Sequence, residues 1–498
     1  MELAKKMLNA SAPLRWTVLV LISGLLFSTY WFNDCLGPLK SLMESQLGFD
    51  SSQFGLLVAS TTWANLALMI IVGGIALDRW GIRKTGTIFS LLATGGAFIV
   101  AFASKGVFGQ DEGTMLTWMI VGRILFGTGL ETVCVMVSRT IVKWFKGYEL
   151  ALAMAINVGF GRLGSAGTNF FGVDIAGGNA YTGLVFAASL IGLAFIMFLA
   201  YLIFDVKIDK QRSDLAEAEG SSEEDQFRFK DLTNLITNPS FIYIALLCVA
   251  FYAAVFPFIQ YAPDLLVNKF GFSLTLPDLS GLSFWQKVAA FFHNGPKVTS
   301  LIPLGTILFT PIFGRMIDKK GKAASVMIVG SLLLIFAHLS LSVINSVAIG
   351  YLGLLALGVA FSLVPAAMWP SVAKIVPENR LGTAYATMFT IQNYGLSAFF
   401  WGIGKMVNVT NPRIVEQIQT TRAQLIANGV SMNEIPQRIE ELKATGVIPP
   451  YNYTWAIFML VFLGIISIFL AYKLKRTDRR QGYGLELPSG QEGVPEAS

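Results

Sequence analysis

The sequence predicts an all-α membrane protein: twelve transmembrane helices in two six-helix halves, with a small extracytoplasmic helical cap. Three observations predict this fold. The composition is too apolar for water, apolar runs of bilayer-crossing length recur along the whole chain, and one short charged motif occurs twice. Of the 498 residues, 54% are hydrophobic and only 14% are charged. In an ordinary soluble domain, about a quarter of the residues are charged. This composition argues against a soluble enzyme, a nucleic-acid-binding protein and a secreted scaffold.

Twelve apolar runs are long enough to cross a bilayer, whose hydrocarbon core requires about 20 helical residues. We number them spans 1 to 12 in chain order: 15–37, 54–77, 85–104, 114–137, 149–170, 180–204, 241–267, 297–317, 324–344, 347–373, 380–404 and 453–473. Span 5 is the weakest because it is rich in glycine and contains Arg162, but it is too apolar for a loop. No small-residue cleavage site follows the first run, so we interpret it as a retained span and not as a signal peptide.

The distribution of lysine and arginine predicts the orientation in the membrane. Most of the 37 basic residues fall in the N-terminal segment, in the C-terminal tail and in the loops that follow even-numbered spans. Basic residues concentrate on the cytoplasmic side of membrane proteins. We therefore expect both termini in the cytoplasm, and the expected location is the inner (plasma) membrane of a bacterium. The net charge of +6 is too small to indicate a nucleic-acid partner.

The chain divides once, into two predicted halves at 1–204 and 239–475. The segment 205–238 between them is polar and mixes acidic with basic side chains. Such a mixture is typical of a solvated connector, which the orientation places on the cytoplasmic side. Residues 476–498 are expected to form a cytoplasmic tail.

A short motif occurs twice, after span 2 as GGIALDRWGIRKTG and after span 8 as GRMIDKKGKAAS. Each copy has a glycine four residues before an aspartate, a second glycine three residues after it, and then basic residues. A carboxylate at a helix end can pair with a basic group or with the N-terminus of a neighbouring helix. We expect Asp78, Arg79, Arg83, Asp318 and Lys319 to form gating latches at the cytoplasmic face; the alternative is a simple basic turn.

The repeated motif resembles the signature loop of the major facilitator superfamily. Further strings narrow the resemblance: TYWFNDCLGPL, GRILFGTGLET, WFKGYELALAM, GRLGS, FYAAVFPF, AMWPSVAKIVPENRLGTAYATM and TIQNYGLS. Together they resemble the major facilitator superfamily domain-containing protein one group, the lysosomal dipeptide uniporter family, of which this chain would be a bacterial member. The likeness runs from about residue 15 to 475 and leaves out the connector and the cap. It implies uniport of dipeptides, although a fold by itself does not fix a function.

Two ionisable residues near the membrane midplane form the predicted substrate site, because charged groups inside spans are costly and usually functional. Glu131 in span 4 and Arg162 in span 5 approach the midplane from opposite sides, since these spans are antiparallel. A peptide ammonium suits a carboxylate, and a peptide carboxylate suits the bidentate fork of arginine. The resemblance implies the same roles for both residues. The alternative is a structural pair that only neutralises two buried charges.

Two other ionisable residues lie within the spans. Arg123 belongs to an R-x-x-x-G-x-G run in span 4, where a substrate contact and a gating or packing role are both open. Asp34 lies near the outer end of span 1, where we expect an outer-gate or hydration role.

Aromatic and amide side chains are predicted to complete the cavity, although packing is the competing role for each one singly. They are Tyr30, Trp31 and Asn33 in span 1, Tyr252 and Phe256 in span 7, Trp369 in span 10, and Gln392, Asn393 and Tyr394 in span 11. Rings and amides together suit peptide side chains of varied type.

Two long outer insertions in the second half, 268–296 and 405–452, are predicted to form the cap. Both have helical patterns with apolar side chains, which rarely stay bare in water. These side chains are Phe284, Trp285, Phe291 and Phe292 in the first insertion and Ile414, Ile418, Leu425 and Ile426 in the second. In one interpretation the insertions pack on each other as a built-in lid, so that a monomer needs no accessory subunit. In the other, each lies separately on the membrane surface.

No cofactor, metal site or catalytic centre is predicted. The chain has two histidines and no G-x-x-x-x-G-K-[ST] phosphate loop, which argues against an enzyme and against ATP-driven transport. The leading hypothesis is a secondary active or facilitative transporter of small peptides that works by alternating access, with the lipid bilayer as its other partner. The alternatives are a proton-coupled carrier of another small amphoteric or anionic solute, and a membrane sensor or scaffold that does not transport.

Overall fold

The computed structural model describes residues 8–216, 235, 237–377 and 380–488. Residues 217–234 and 236 of the predicted connector, and 489–498 of the predicted tail, lie outside the described residues. Helices occupy all twelve predicted spans, and the described part of the chain contains no strand. The prediction of an all-α membrane protein with the major facilitator fold is confirmed.

The first half contains spans 1 to 6. Its helices are Ala12–Asp34 and Leu36–Leu47 (span 1 and its extension), Ser51–Ala59, Ser60–Thr62, Trp63–Leu66 and Met69–Ser104 (spans 2 and 3), Glu112–Phe145 (span 4), Leu150–Ala176 (span 5) and Ala180–Ala216 (span 6). Span 6 continues as a helix into the segment that the sequence assigns to the connector.

The second half contains spans 7 to 12 and three shorter helices. The spans are Pro239–Phe270, Gly295–Lys320, Ala323–Val343, Val347–Ile375, Leu381–Thr410 and Thr454–Gln481, and the shorter helices are Phe284–Phe292, Pro412–Ala427 and Ile435–Ala444. We call the side of the molecule that carries Pro412–Ala427 and Ile435–Ala444 the cap face. The opposite side, where the described chain begins and ends, is the termini face.

In the repeated motif, the glycine three residues after the aspartate makes the same backbone turn in both halves. Gly81 has φ 72 and ψ 177 within an otherwise helical stretch, and it separates span 2 from span 3. Gly321 has φ 68 and ψ −141 and ends the helix of span 8. Positive φ at such ψ values is accessible mainly to glycine. The motif therefore encodes a sharp turn at the termini face of each half.

Nine helical stretches of the described chain are long and apolar enough to cross a membrane. Spans 2 and 3 share one of these stretches, and spans 5 and 11 are not among the nine. Span 5 contains Arg162, and span 11 contains Gln392 and Asn393. Their polar residues turn towards the interior of the protein, as the cavity described below shows.

Glycines let the two halves approach closely on the cap side. The start of span 2 packs on span 11, and span 5 packs on span 8. A Cβ atom at Gly55 would lie 2.6 Å from the carbonyl oxygen of Phe400, and one at Gly404 would collide with the carbonyl oxygen of Ser51. Small residues allow such backbone contact between membrane helices, so this seam between spans 2 and 11 has no room for larger side chains.

Contrary to the lid interpretation, the helix of the first outer insertion does not pack on the helices of the second; Tyr451 N donates to Asn268 Oδ1 at 3.0 Å where the two insertions meet spans 12 and 7. The helix Phe284–Phe292 packs on span 8, and its Phe291 ring lies 5.5 Å from the Phe170 ring of span 5. In the described part of the chain, no hydrogen bond or ring contact joins it to Pro412–Ala427 or Ile435–Ala444.

The second insertion packs on the first half. Ile418, Ile435 and Ile439 of this insertion are buried, whereas Ile426 is exposed. The helix Ile435–Ala444 packs on Leu36–Leu47 of the other half. That helix is thus held against the first half instead of against the first insertion.

Candidate functional site

A cavity of about 260 Å³ lies between the two halves. Its lining comes from spans 1, 2, 4 and 5 of the first half (Tyr30, Asn33, Asp34, Val58, Thr61, Thr62, Leu130, Glu131 and Arg162) and from spans 7, 10 and 11 of the second half (Tyr252, Phe256, Ile259, Gln260, Trp369, Phe389, Gln392, Asn393, Leu396 and Phe400). The lining thus brings together the predicted cavity residues except Arg123, Trp31 and Tyr394. The gating candidate Asp34 also lines it.

The charges of the cavity all come from the first half. Asp34, Glu131 and Arg162 are the acidic and basic side chains of the lining, and the second half contributes rings, amides and apolar groups. A small molecule in the cavity would therefore meet ionic groups on one side and a neutral wall on the other.

Arg162 is held by aromatic rings of the opposite half. Its guanidinium carbon lies 4.5 Å from the ring centroid of Phe361 in span 10 and 6.0 Å from that of Phe256 in span 7. Such cation–π contacts orient a guanidinium without occupying its N–H donors in the plane. Within the described residues, Arg162 forms no ion pair, and Glu131 is not within ion-pair distance of it.

Glu131 is surrounded by amides rather than by a cation. The side chains of Asn393 in span 11 and Asn65 in span 2 lie beside its carboxyl group. Asn393 also donates to the Phe389 carbonyl oxygen at 2.8 Å, which fixes the amide in the wall. The carboxyl group of Glu131 is therefore positioned by both halves and faces the cavity.

The aromatic wall of the second half is held together by contacts among its own side chains. Tyr252 and Phe256 stack with centroids 5.3 Å apart, and Trp369 and Phe389 stack at 4.9 Å. Trp369 Nε1 donates to the Tyr252 hydroxyl at 2.9 Å, which joins the two stacks. Offset ring pairs of this kind resist rearrangement, so the wall offers a fixed apolar surface.

Span 2 is irregular where it passes the cavity. Thr61 and Thr62 lie in a 3₁₀ turn, and Leu68 has φ 63, which breaks the helix. The carbonyl oxygen of Leu66, released by the break, accepts from the Tyr394 hydroxyl of span 11 at 2.9 Å. Discontinuous helices commonly flank the binding sites of transporters. Sequence reasoning missed Thr61 and Thr62; the signal was the polar run STTWAN within span 2.

Asp34 connects the cavity to the contacts that close it. Its Oδ1 accepts from Gln260 Nε2 of span 7 at 2.9 Å and from Asn33 Nδ2 at the same distance. Gln260 was also missed by sequence reasoning. It lies one helical turn before Asp264, and two polar residues at this spacing in an apolar span were the available signal.

A buried ion pair closes the cap side. Lys40 Nζ lies 2.8 Å from Asp264 Oδ2, and the two side chains are 2% and 1% exposed. Ser41 donates to the same carboxylate at 3.2 Å, and so does the Tyr453 hydroxyl. Lys40 and Ser41 belong to the first half and Asp264 to the second, so their bonds join the halves, whereas Tyr453 donates from within the second half. The predicted end of span 1 at residue 37 leaves Lys40 in a loop, whereas the helix runs on to Leu47.

The cap adds a second set of contacts between the halves. Arg422 donates to the carbonyl oxygens of Ser45 and Gln46 at 3.0 and 2.8 Å, which caps the C-terminal end of the span 1 extension. The Tyr451 hydroxyl donates to Glu44 at 2.6 Å. Burial and the adjacent Glu44 carboxylate raise the pKa of Tyr451, so the phenol stays protonated and keeps this bond.

The latch residues of the termini face form ion pairs within the first half. Asp78 lies 2.5 Å from Arg139 of span 4, and Arg83 pairs with Asp205 and Asp209 of span 6 at 3.1 and 2.6 Å. The other three latch candidates, Arg79, Asp318 and Lys319, are exposed at the same face. The bonds that join the halves cluster on the cap side, so this is a state closed towards the cap face.

Arg123 lies outside the cavity lining. It is fully buried, with its guanidinium 5.8 and 5.6 Å from the ring centroids of Phe32 and Phe126. Carbonyl oxygens of Phe32 and Asn33 lie 3.4 and 3.5 Å away. The next glycine of its motif, Gly127, touches the backbone of span 2. In this state the residue serves packing between spans 1, 2 and 4.

Two aromatic candidates also lie outside the lining. Trp31 is buried against Gly167 of span 5. The Tyr394 hydroxyl donates its hydrogen bond to the Leu66 carbonyl oxygen.

Comparisons with known proteins agree with this fold. A family model described as Major Facilitator Superfamily matches residues 22–400. Among curated relatives, the lysosomal dipeptide transporter MFSD1 of Homo sapiens is 29% identical over 392 residues, covering 77% of this chain and 78% of the relative. The Danio rerio protein of the same name is 28% identical over 409 residues, covering 79% and 81%.

Solved structures match over nearly the whole chain. An inward-facing, unoccupied bacterial homologue of the human lysosomal transporter Spinster gives a TM-score of 0.65 at 16% identity and covers 97% of this chain and 100% of its own. The nucleoside transporter NupG, as a D323A mutant, gives 0.64 at 12% identity, with coverage of 92% and 99%.

Proposed function

Because the chain belongs to the major facilitator superfamily, and is thus a multi-pass membrane transporter of a small molecule, we propose that its substrates are dipeptides. In this proposal Glu131 binds the peptide ammonium and Arg162 binds the peptide carboxylate. The two halves rock around the cavity and expose it to each face in turn.

One observation carries the proposal: an acidic and a basic side chain, not paired with each other, face the same cavity from the same half. An unpaired buried charge is costly, so a cavity that keeps two of opposite sign is suited to a ligand that satisfies both. A zwitterion with separated ends does so. Arginine suits the carboxylate end because its planar fork matches two oxygens.

The neutral wall supports a substrate with variable side chains. Both ionic contacts lie on the first half, so the peptide side chains would lie against Tyr252, Phe256 and Trp369 of the second half. These rings give area without demanding a particular hydrogen-bond pattern. The printed name of the relatives, a dipeptide transporter, favours the same substrate class.

Uniport is the transport mode that we propose, as the family resemblance implies. A specific observation keeps proton coupling as the second candidate: the lining has two carboxyl groups, Asp34 and Glu131, and a peptide ammonium needs only one. Uptake driven by a dipeptide gradient alone, with and without a pH gradient, distinguishes the two modes. Stimulation by an inward proton gradient would favour the proton-coupled carrier.

Uptake into proteoliposomes tests the substrate class. A panel of unlabelled dipeptides should compete with one labelled dipeptide, whereas single amino acids and anionic solutes should compete poorly. The Glu131→Gln and Arg162→Ala variants should lose uptake while remaining folded. Exposed residues of the cap supply matched controls, since Glu416→Gln and Arg413→Ala remove the same charges far from the cavity. Normal uptake by both cavity variants would contradict the proposal.

A further inference from the structure

The outer helix Phe284–Phe292 is a well-defined element that the proposed function does not use. Ser283 and Gln286 form a capping box: Ser283 N donates to Gln286 Oε1 at 2.9 Å, and Gln286 N donates to Ser283 Oγ. The loop that carries the helix is tied at its base, where Ser273 N donates to the His293 carbonyl oxygen at 2.9 Å. The helix therefore has a fixed start and a fixed attachment.

One side of this helix presents large apolar side chains that nothing in the described chain covers. Phe284, Trp285 and Phe292 are 71%, 75% and 43% exposed, and at 3.6 residues per turn they fall within about 100° of the helix circumference. Gln286 and Lys287 lie on the opposite side. Exposed clusters of this kind mark contacts with another apolar phase.

The position of the helix matches the boundary of the membrane. It ends at Phe292, two residues before Asn294, which is the N-cap of the span 8 helix Gly295–Lys320. The Tyr351 hydroxyl, in the second turn of span 10, donates to the Phe292 carbonyl oxygen. Since two spans begin beside the helix, it lies at the level where the hydrocarbon core gives way to the headgroups.

Exposed leucines lie on the two spans that begin beside the helix, at Leu301 of span 8 and at Leu352 and Leu355 of span 10. Phe291 lies only about 20° from Phe284 on the helix circumference, and its ring contacts Phe170 of span 5. The helix is thus fixed to the protein at one edge of its apolar side, and Phe284 and Trp285 beside that edge stay exposed.

We propose that Phe284–Phe292 is an interfacial anchor that inserts Phe284, Trp285 and Phe292 into the cap-side leaflet. Amphipathic helices rich in aromatic residues bind at this depth, and tryptophan prefers the boundary between headgroups and acyl chains. The cap helices expose less: Ile418 and Ile439 are buried and Ile426 is 42% exposed, against 71% and 75% for Phe284 and Trp285. The occupant that we propose is lipid, and a second copy of the chain or an accessory protein is an outcome that the test separates.

Nitroxide labels on the full-length protein in phosphatidylcholine vesicles test the proposal. The three cysteines are first replaced by alanine, and the background is accepted only if it remains folded. Phe292→Cys then reports the apolar side while keeping both exposed rings of Phe284 and Trp285, and Gln286→Cys is the control on the polar side. We expect the label at 292 to be more accessible to oxygen than to a water-soluble nickel complex, with the reverse at 286.

Two results would overturn the anchor. Equal access of the nickel complex to both labels would put the helix in water, and protection of the label at 292 from both reagents would mean that protein covers it. A second measurement avoids the cysteine background: lipids brominated near the headgroup should quench Trp285, so Trp285→Phe should lower the quenched fraction of the fluorescence. An unchanged quenched fraction would also contradict the proposal.

Discussion

The residues that the two halves contribute to the cavity differ in chemistry. Asp34, Glu131 and Arg162 provide its charges from the first half, while Phe361 of the second half holds the Arg162 guanidinium at 4.5 Å. Rocking of the halves would change that ring contact and leave both ionic groups together on one rigid unit. A ligand held by Glu131 and Arg162 would therefore travel with the first half.

Arg162→Lys should weaken dipeptide binding although it keeps the positive charge. An ammonium replaces the planar fork with a point charge, and one charge-assisted hydrogen bond is worth about 1.5–3 kcal/mol, so we expect affinity to fall roughly 10-fold to 100-fold. Equilibrium binding in detergent measures this loss. Phe361→Leu is the comparison, because it removes only the ring contact, of about 0.5–2 kcal/mol. Equal affinity of Arg162→Lys and the wild type would refute bidentate recognition.

The sequence identifies the ionic residues of the cavity and many, but not all, of the neutral ones. Glu131 and Arg162 stand out because charges are rare within apolar spans, and both line the cavity. Arg123 stands out for the same reason and yet is buried between rings. Composition cannot distinguish a charge that faces a cavity from one that packs among rings. Thr61 and Gln260 were missed because uncharged polar residues inside spans are common.

The span 1 extension, Leu36–Leu47, is the element that closes the cap side. It brings Lys40 to Asp264, and its C-terminal carbonyl oxygens accept from Arg422. An apolar-run criterion ends the span at residue 37 because Lys40 and Glu44 follow, but both side chains are buried by the second half. Tertiary contacts that neutralise the charges extend the helix, and hydropathy cannot anticipate such contacts.

Removing one partner of the Lys40–Asp264 pair should destabilise the protein more than removing both. Lys40→Met leaves a buried carboxylate without its cation, which costs about 3–5 kcal/mol, whereas an apolar pair of similar volume is often tolerated. We expect Lys40→Met to lower the unfolding temperature and Lys40→Met/Asp264→Leu to recover most of that loss. Thermal unfolding in detergent measures both effects. Additive losses in the double variant would show that the pair is not coupled.

We expect the repeated motif to affect the rate of transport more than the affinity for the dipeptide. Asp78→Asn breaks the ion pair with Arg139 at the termini face, away from the residues that line the cavity. We expect slower turnover with little change in dipeptide affinity, because the change alters the conformational equilibrium and leaves the site intact. Binding and uptake measured on the same preparation separate the two. A loss of affinity as large as the loss of rate would contradict a gating role, and Glu416→Gln supplies a neutral control.

The contacts between the two halves define the conformation of the whole molecule. Bonds between the halves lie on the cap side, from Asp34–Gln260 at the cavity to Lys40–Asp264 and the cap beyond it. The pattern of apolar runs and the repeated motif predict the twelve-helix fold. They do not predict which face is closed or how the two insertions are arranged, because both depend on contacts between distant parts of the chain.

Binding of end-blocked dipeptides to matched variants tests whether Glu131 and Arg162 hold the two ends of the peptide. N-acetylation of the dipeptide should weaken its binding to the wild type but have little further effect on its binding to Glu131→Gln. C-terminal amidation should weaken binding to the wild type but have little further effect on binding to Arg162→Ala. Each pair forms a double-mutant cycle between one ligand end and one side chain. Calorimetric titration of the three proteins with the three ligands measures it. If blocking either end costs the variants as much affinity as it costs the wild type, Glu131 and Arg162 do not hold the peptide ends.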